Sequence, residues 1–253
     1  MKVSIIIPAR MAATRFPGKP LVKIKDKPMI QWVYEGCQKS NAQQVIVATD
    51  SNEIMEAVAA FGGEARMTSP DHQNGTQRIA EVANSLDSEV IVNVQGDEPA
   101  IHPDDINAVI EPLQSDPNLE MTTIARRITR HEDMFNPNIV KVVCDKQGNA
   151  LYFSRAPVPF VKHVGMASPT WPDQPRIHAR QHYGIYGFRR TFLIEYVNEP
   201  VSELENIEGL EQLRALYMGA RIRVEEAVHP SIGVDTPEDV QKVERYLSEK
   251  GRT

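Results

Sequence analysis

The hydrophobic pattern changes period at regular intervals. Residues 3–7 form an apolar, β-branched run interrupted only by Ser4 and stopped by Pro8, which predicts a buried strand. Met29, Ile30, Val33, Tyr34 and Cys37 then recur at helical spacing. Residues 45–48 read as a second strand running into Thr49 and Asp50. A helix follows over 51–64, with Ser51 as N-cap and Gly62–Gly63 as its stop. The same alternation continues with a short strand at 64–69 and a helix at 75–86. Beyond these come a strand at 90–94, a helix at 104–115 and a strand at 121–128. Strands alternating with helices predict an α/β fold built on an open, doubly wound, mostly parallel sheet. Such sheets bind ligands outside the carboxyl ends of their strands. The loops after residue 7, after residue 67 and after Val94 are therefore the expected site walls.

The second half is less regular. Residues 138–155 predict a hairpin about the turn DKQGN, ending at Ser154 and Arg155. Residues 156–182 are rich in Pro, Gly and His and predict a long loop, of the kind that is functional or flexible. A strand is expected at 182–190, helices at 191–199 and 205–219, and a strand at 222–228. The closing helix, 234–250, has Thr236 as N-cap and Pro237 at its first position. We read one domain over 1–253, with a core of 1–119 and 184–253 and an insert at about 120–183.

With 253 residues, 41% of them hydrophobic and 25% charged, the chain can bury a sizeable core. Its net charge of −6 argues against general affinity for nucleic acid or membrane. No stretch reaches the roughly 20 apolar residues of a membrane span, and no leader pattern precedes the first strand. A cytoplasmic location is expected. Cys37 and Cys144 have no metal-binding or redox spacing and predict buried free thiols.

Several stretches carry candidate chemistry. The loop PARMAATRFPGKP follows the first strand and holds Arg10, Arg15 and Lys19. Guanidinium forks and an ammonium suit a polyphosphate. The same spacing also fits an ordinary loop with solvated charges. The loop lacks the glycine patterns of P-loop ATPases and of dinucleotide-binding folds. In VNVQGDEP, Asp97 stands at a strand end where a carboxylate can hold Mg²⁺, or else cap the next helix. Asp235 in GVDTPED offers a second carboxylate, although Thr236 and Glu238 make good capping chemistry there too. HQNGTQR puts Gly75, Thr76 and Arg78 at a helix start, where free N–H groups can meet a base edge or an anion. Arg155, His182, Tyr183, Glu211 and Gln212 have no partner visible in the sequence.

Together, PARMAATRFPGKPL, DHQNGTQRIAE, VNVQGDEP, FNPNIVKVV, ALYFSRAPVPF, HYGIYGF, LENIEGLEQLRALYMG and GVDTPEDV resemble the 3-deoxy-manno-octulosonate cytidylyltransferase family. The match runs in order over nearly the whole chain and is weakest at 161–180. The resemblance implies a Rossmann-like fold of the nucleotide-diphospho-sugar transferase type. It implies that CTP and 3-deoxy-D-manno-octulosonate (Kdo) give CMP-Kdo and pyrophosphate, with Mg²⁺ as cofactor, for lipopolysaccharide biosynthesis. It also implies a homodimer, with the irregular middle segment at the interface. By position, Pro8, Ala9, Arg10, Arg15, Lys19, Asp71, Gly75 and Thr76 would bind the nucleotide, and Asp97 and Asp235 the metal. Arg10, Arg15, Lys19, Asp97 and Asp235 would be catalytic. Arg78, Gln95, Arg155, His182, Tyr183, Glu211 and Gln212 would surround the sugar acid. Met11 and Ala13 stand where the family more often has an aromatic residue and a serine. Two other readings remain open: activation of a related sugar acid (8-amino-Kdo or a sialic acid), and a non-catalytic nucleotide-binding scaffold.

Overall fold

The computed structural model describes residues 1–12, 16–160, 162 and 179–252. Arg15 and most of 161–178 lie outside the described residues. In chain order the strands are β1 (Val3–Ala9), β2 (Lys23–Ile24), β3 (Lys27–Pro28), β4 (Gln44–Thr49), β5 (Glu64–Met67), β6 (Val90–Asn93), β7 (Met121–Arg127), β8 (Lys141–Cys144), β9 (Ala150–Ser154), β10 (Arg180–Arg189) and β11 (Ile222–Glu226). The helices are α1 (Met29–Gln38), α2 (Asn52–Ala60), α3 (Gly75–Asn84), α4 (Pro103–Ser115), α5 (His131–Phe135), α6 (Arg190–Asn198), α7 (Glu203–Glu208), α8 (Gln212–Tyr217) and α9 (Pro237–Glu249).

The main sheet runs β11-β7-β10-β6-β1-β4-β5. β10 is antiparallel to both of its neighbours in this order, while the β6–β1–β4–β5 and β11–β7 pairings are parallel. β1 sits centrally because its run is apolar on both faces. Ile5 and Ile7 enter one core layer with α1, α2 and α4, and Ile6 enters the other with α3, α6 and α8. Each of these isoleucines is fully buried, a contribution of about 1.5–3 kcal/mol apiece. A third cluster seats α9 on Trp32, Met29 and Ile24 through Val243 and Leu247. Of the segment expected as an insert, β7 lies inside the main sheet, and the hairpin β8–β9 joins it through β10. Cys37 and Cys144 are free thiols, the first buried and the second partly so.

Three expectations are corrected. β10 begins at Arg180, not His182, because Arg180 and Gln181 pair with β7 on one side and β8 on the other. Backbone pairing on both edges overrides their polarity. The helix expected over 205–219 is two helices. Gly209 adopts the left-handed conformation (φ 62°) and ends α7, its N–H donating to Glu205 O at 2.8 Å. At α9 the capping partner of Thr236 is Asp239, not Glu238. The Asp239 carboxylate accepts from the Asp235 and Thr236 N–H groups at 3.1 and 3.0 Å, as its place three residues into the helix requires.

Candidate active site

A cleft of about 340 Å³ opens at the carboxyl ends of β1 and β6. Of the expected site residues it is lined by Pro8, Ala9, Arg10, Lys19, Gly75, Arg78, Gln95, Asp97 and Asp235. Phe16, Pro20, His72, Asn74 and Gly96 complete it and were not anticipated as site residues.

Two close approaches shape its floor. Gly96 lies so near β1 that a Cβ there would sit 2.9 Å from Pro8 O. Gly75 packs on the Pro8 ring, where a Cβ would be 3.1 Å from Cγ. Gly75 is also the first residue of α3, and Asn74 caps that helix, its Oδ1 accepting from Gln77 N at 2.9 Å. The α3 N-terminus, the positive end of the helix dipole, therefore lies at the cleft wall. The fourth residue of α3, Arg78, is almost fully buried. Its guanidinium donates to Asp50 Oδ2 at 2.8 Å and to Thr68 Oγ1 at 2.5 Å. That anchoring fixes the side chain from behind.

Opposite stands an acidic group built from two loops. Asp97 O accepts from Val234 N at 2.9 Å, tying the loop after β6 to the loop before α9. Lys19 Nζ donates to Asp97 Oδ2 at 2.6 Å and to Val234 O at 2.8 Å, and lies 3.7 Å from Asp235 Oδ1. The two readings of GVDTPED thus separate onto different residues. Asp239 closes the cap, while the Asp235 carboxylate reaches the same cation as Asp97. Beside them Glu98 accepts from Ser231 Oγ at 2.7 Å. Burial pushes its carboxyl up to about 7, opposed by the Ser231 hydrogen bond and reinforced by Asp97 and Asp235.

Asp71 lies outside the lining, exposed in the loop before α3, where it accepts from Ser69 Oγ at 3.3 Å. Thr76 is buried and donates to Glu211 Oε2 at 2.8 Å, which links α3 to the start of α8. Glu211 has its carboxyl raised by burial, and Gln212 beside it is buried in α8. Arg155 is not brought to the cleft. Its guanidinium donates to the carbonyls of Glu208, Pro137 and Gly209. His182 and Tyr183, neighbours on β10, take opposite faces of the sheet. Tyr183 lines a smaller recess with Gln95, Glu98 and Ser231, next to the main cleft. His182 is buried against Phe153 and Tyr186 with Nε2 2.9 Å from Thr123 Oγ1, and burial holds it down to about 3. Asn93, paired in register with Tyr186, buries an Nδ2 that has no hydrogen-bond partner. Its Oδ1 is 3.4 Å from Gln95 Nε2.

Phe16 and His72 were hidden because nothing in their local pattern distinguishes a lining side chain from a loop one. Asn74 was legible in principle, since Asn before a helical run is a capping signal. Asn93 carried the clearest missed signal: an amide inside the apolar strand IVNV.

Residues 4–222 match the profile of the family described as Cytidylyltransferase. A 3-deoxy-manno-octulosonate cytidylyltransferase of Geobacter sulfurreducens is 49% identical over 251 residues, covering 96% of this chain and 98% of that protein. The chain belongs to the 3-deoxy-manno-octulosonate cytidylyltransferase family. A member of the family from Vibrio vulnificus is 47% identical over 254 residues, covering 99% of this chain and all of its own. A solved structure of CMP:2-keto-3-deoxy-manno-octonic acid synthetase complexed with CTP matches with a TM-score of 0.92 at 39% identity, covering 99% of this chain and 100% of that one. The family assignment and the open, mostly parallel sheet both agree with the expectations drawn from the sequence blocks. The scaffold reading loses its basis, because the relatives are named as transferases.

Proposed function

We propose that the cleft transfers a cytidylyl group from CTP to Kdo, releasing CMP-Kdo and pyrophosphate. The observation that carries this reading is Lys19, held at a carboxylate pair within a cleft that also presents Arg10 and the α3 N-terminus. Arg10 and Lys19, with Arg15 from the same loop, bind the triphosphate. Pro8, Ala9 and Gly75 set the nucleoside against β1 and α3. The sugar-acid hydroxyl attacks the α-phosphorus. A new P–O bond forms, the bond from the α-phosphorus to the oxygen bridging to the β-phosphate breaks, the hydroxyl proton passes to solvent, and pyrophosphate leaves with the bond electrons. No covalent enzyme intermediate is needed. Positioning and charge neutralisation supply the catalysis.

Asp97 and Asp235 fit Mg²⁺ chemically. Both are carboxylates, they already share one cation, and magnesium usually takes one or two carboxylates together with substrate phosphates. Bound there, it would supply Lewis-acid stabilisation of charge on the phosphates. Gln95, which lines both the main cleft and the recess, and Tyr183, which lines the recess, suit a polyhydroxylated acid.

We further propose that the protein acts in the cytoplasm as a homodimer, supplying CMP-Kdo for lipopolysaccharide. No helix among the described residues is long and apolar enough to cross a membrane, which is compatible with that setting. The test is pyrophosphate release from CTP and Kdo with Mg²⁺, run beside 8-amino-Kdo and a sialic acid at equal concentration. Faster release with either competitor would reassign the sugar acid, and no release with any of them would remove the transfer reading.

A further inference from the structure

His102, Asp104 and His229 bring three metal-ligating side chains together beside the recess lined by Glu98 and Tyr183, which His102 also lines. Their ligand atoms all lie within 4.8 Å of one another. Asp104 Oδ2 is 3.3 Å from His102 Nδ1 and 3.4 Å from His229 Nε2. Zinc binds imidazole nitrogen and carboxylate oxygen at about 2.0–2.2 Å, which at tetrahedral angles separates ligand atoms by about 3.3–3.5 Å. Both N···O spacings therefore already match the edges of such a site. We propose that His102, Asp104 and His229 bind a divalent transition metal of the zinc class, which clips the Asp97 loop to the Asp235 loop.

His229 lies face to face with His102, ring centroids 3.6 Å apart, so one imidazole must turn out of the stack before both in-plane lone pairs can meet one ion. The backbone around the set is held in place. The buried Asp105 carboxylate accepts from Val228 N at 2.8 Å and His229 N at 3.4 Å, which fixes the backbone that carries His229. These bonds position the backbone from which the His229 ring projects. Two imidazoles select a zinc-like ion over magnesium, which prefers oxygen. Burial, and then the neighbouring His229, lower the His102 pKa, which favours the neutral ring that ligates. Two further features oppose binding. His102 Nδ1 also accepts from Asp104 N at 3.3 Å, a long bond that metal ligation would displace. Arg252 rests on the carbonyls of Ala100 and Ile101 and adds positive charge nearby. The Asp104 and Asp105 carboxylates outweigh that charge.

The position gives the site a role. His102 follows Asp97 by five residues and His229 precedes Asp235 by six, so each loop of the catalytic carboxylate pair carries one of the two imidazoles. The site is distinct in donor set from Asp97 and Asp235, and its existence does not depend on which sugar acid is activated.

Cobalt(II) is the probe, because its visible absorption is intense in a four-coordinate nitrogen-containing site and weak with six oxygens. One equivalent added to the full chain should produce an intense band that persists in Asp97→Asn. His229→Asn should lose the band and weaken cobalt binding at least about a hundred-fold, since even outer-shell changes at metal sites cost 10–100-fold. Asp104→Asn, at a largely exposed side chain, should do the same in a chain whose circular dichroism is unchanged, which guards against misfolding of the first variant. A wild-type chain without the band, a band that survives both substitutions, or a band lost in Asp97→Asn would overturn the proposal.

Discussion

His182 should make the protein lose stability on mild acidification. The ring is buried between Phe153 and Tyr186, its Nε2 meets a neutral hydroxyl, and burial lowers its pKa from an ordinary 6.5 to about 3. The folded state thus binds fewer protons than the unfolded chain across the window between those values. Stability is full above pH 6.5 and is lost as the pH falls toward 3. At pH 5 the unfolded chain protonates this histidine almost completely, while the folded chain does so hardly at all. The difference is about 1.5 pH units, or roughly 2 kcal/mol, and it would approach about 5 kcal/mol below pH 3. His182→Gln keeps a group able to bond the Thr123 hydroxyl but does not titrate. Urea unfolding of both proteins at pH 8 and pH 5 isolates the effect, because the other six histidines are common to both. The wild type should lose about 2 kcal/mol more than the variant between the two pH values. Equal losses would show that the unfolded chain gains nothing by protonating His182, and would refute the burial argument.

Four further outcomes follow from the same geometry. Asp235→Asn should lower kcat about a hundred-fold or more at saturating CTP and Mg²⁺, since metal stabilisation is worth several kcal/mol; an unchanged kcat would leave Asp235 with no part in catalysis. Lys19→Met should raise the KM for CTP about 10–100-fold, the value of a charged hydrogen bond, read from initial rates across CTP concentrations. Gly96→Ala should cost about 1–3 kcal/mol in urea unfolding, because its Cβ would press on Pro8 O, and should weaken CTP binding by shifting β1 under the cleft. Arg214→Met should cost about 3–5 kcal/mol by leaving the buried Glu205 without its 2.8 Å partner, and adding Glu205→Leu should restore most of that loss in thermal unfolding.

How legible each part was depended on the range of the forces that set it. β1, β4 and β6 were readable because a β-branched run packed on both faces permits little else. Asp97 and Asp235 were readable because their strand-end and helix-start positions are local features. The break at Gly209 was harder. The apolar spacing of Leu210, Leu213 and Leu216 continues past it, and the interruption is stabilised from a distance. Glu208 accepts from Ser154 Oγ and Arg155 N, more than fifty residues earlier in the chain. The same distance effect hid the state of His182, whose environment comes from β7 and β9, and the commitment of Arg155 to three carbonyls. The N-cap residue Thr236 was legible, but its partner was misassigned by one position. Whether Glu238 or Asp239 turns back depends on helix phase, which spacing alone leaves ambiguous.

Carboxylates facing a phosphate site look like a contradiction, and Lys19 resolves it. One ammonium at 2.6 and 3.7 Å from Asp97 and Asp235 sets two acids against one base, a formal net negative charge. A triphosphate entering beside Arg10 would meet that charge as repulsion. Glu98 adds only part of a charge to it near neutral pH, because burial raises its carboxyl to about 7. A dication is the partner that turns the pair from a barrier into a binding element, and it would also free the Lys19 ammonium for the phosphates. Cations alone would hold CTP and pyrophosphate alike. With Mg²⁺ held by the acidic pair as proposed, binding would be conditional on the metal, and the cleft would select a metal–nucleotide complex over a bare anion.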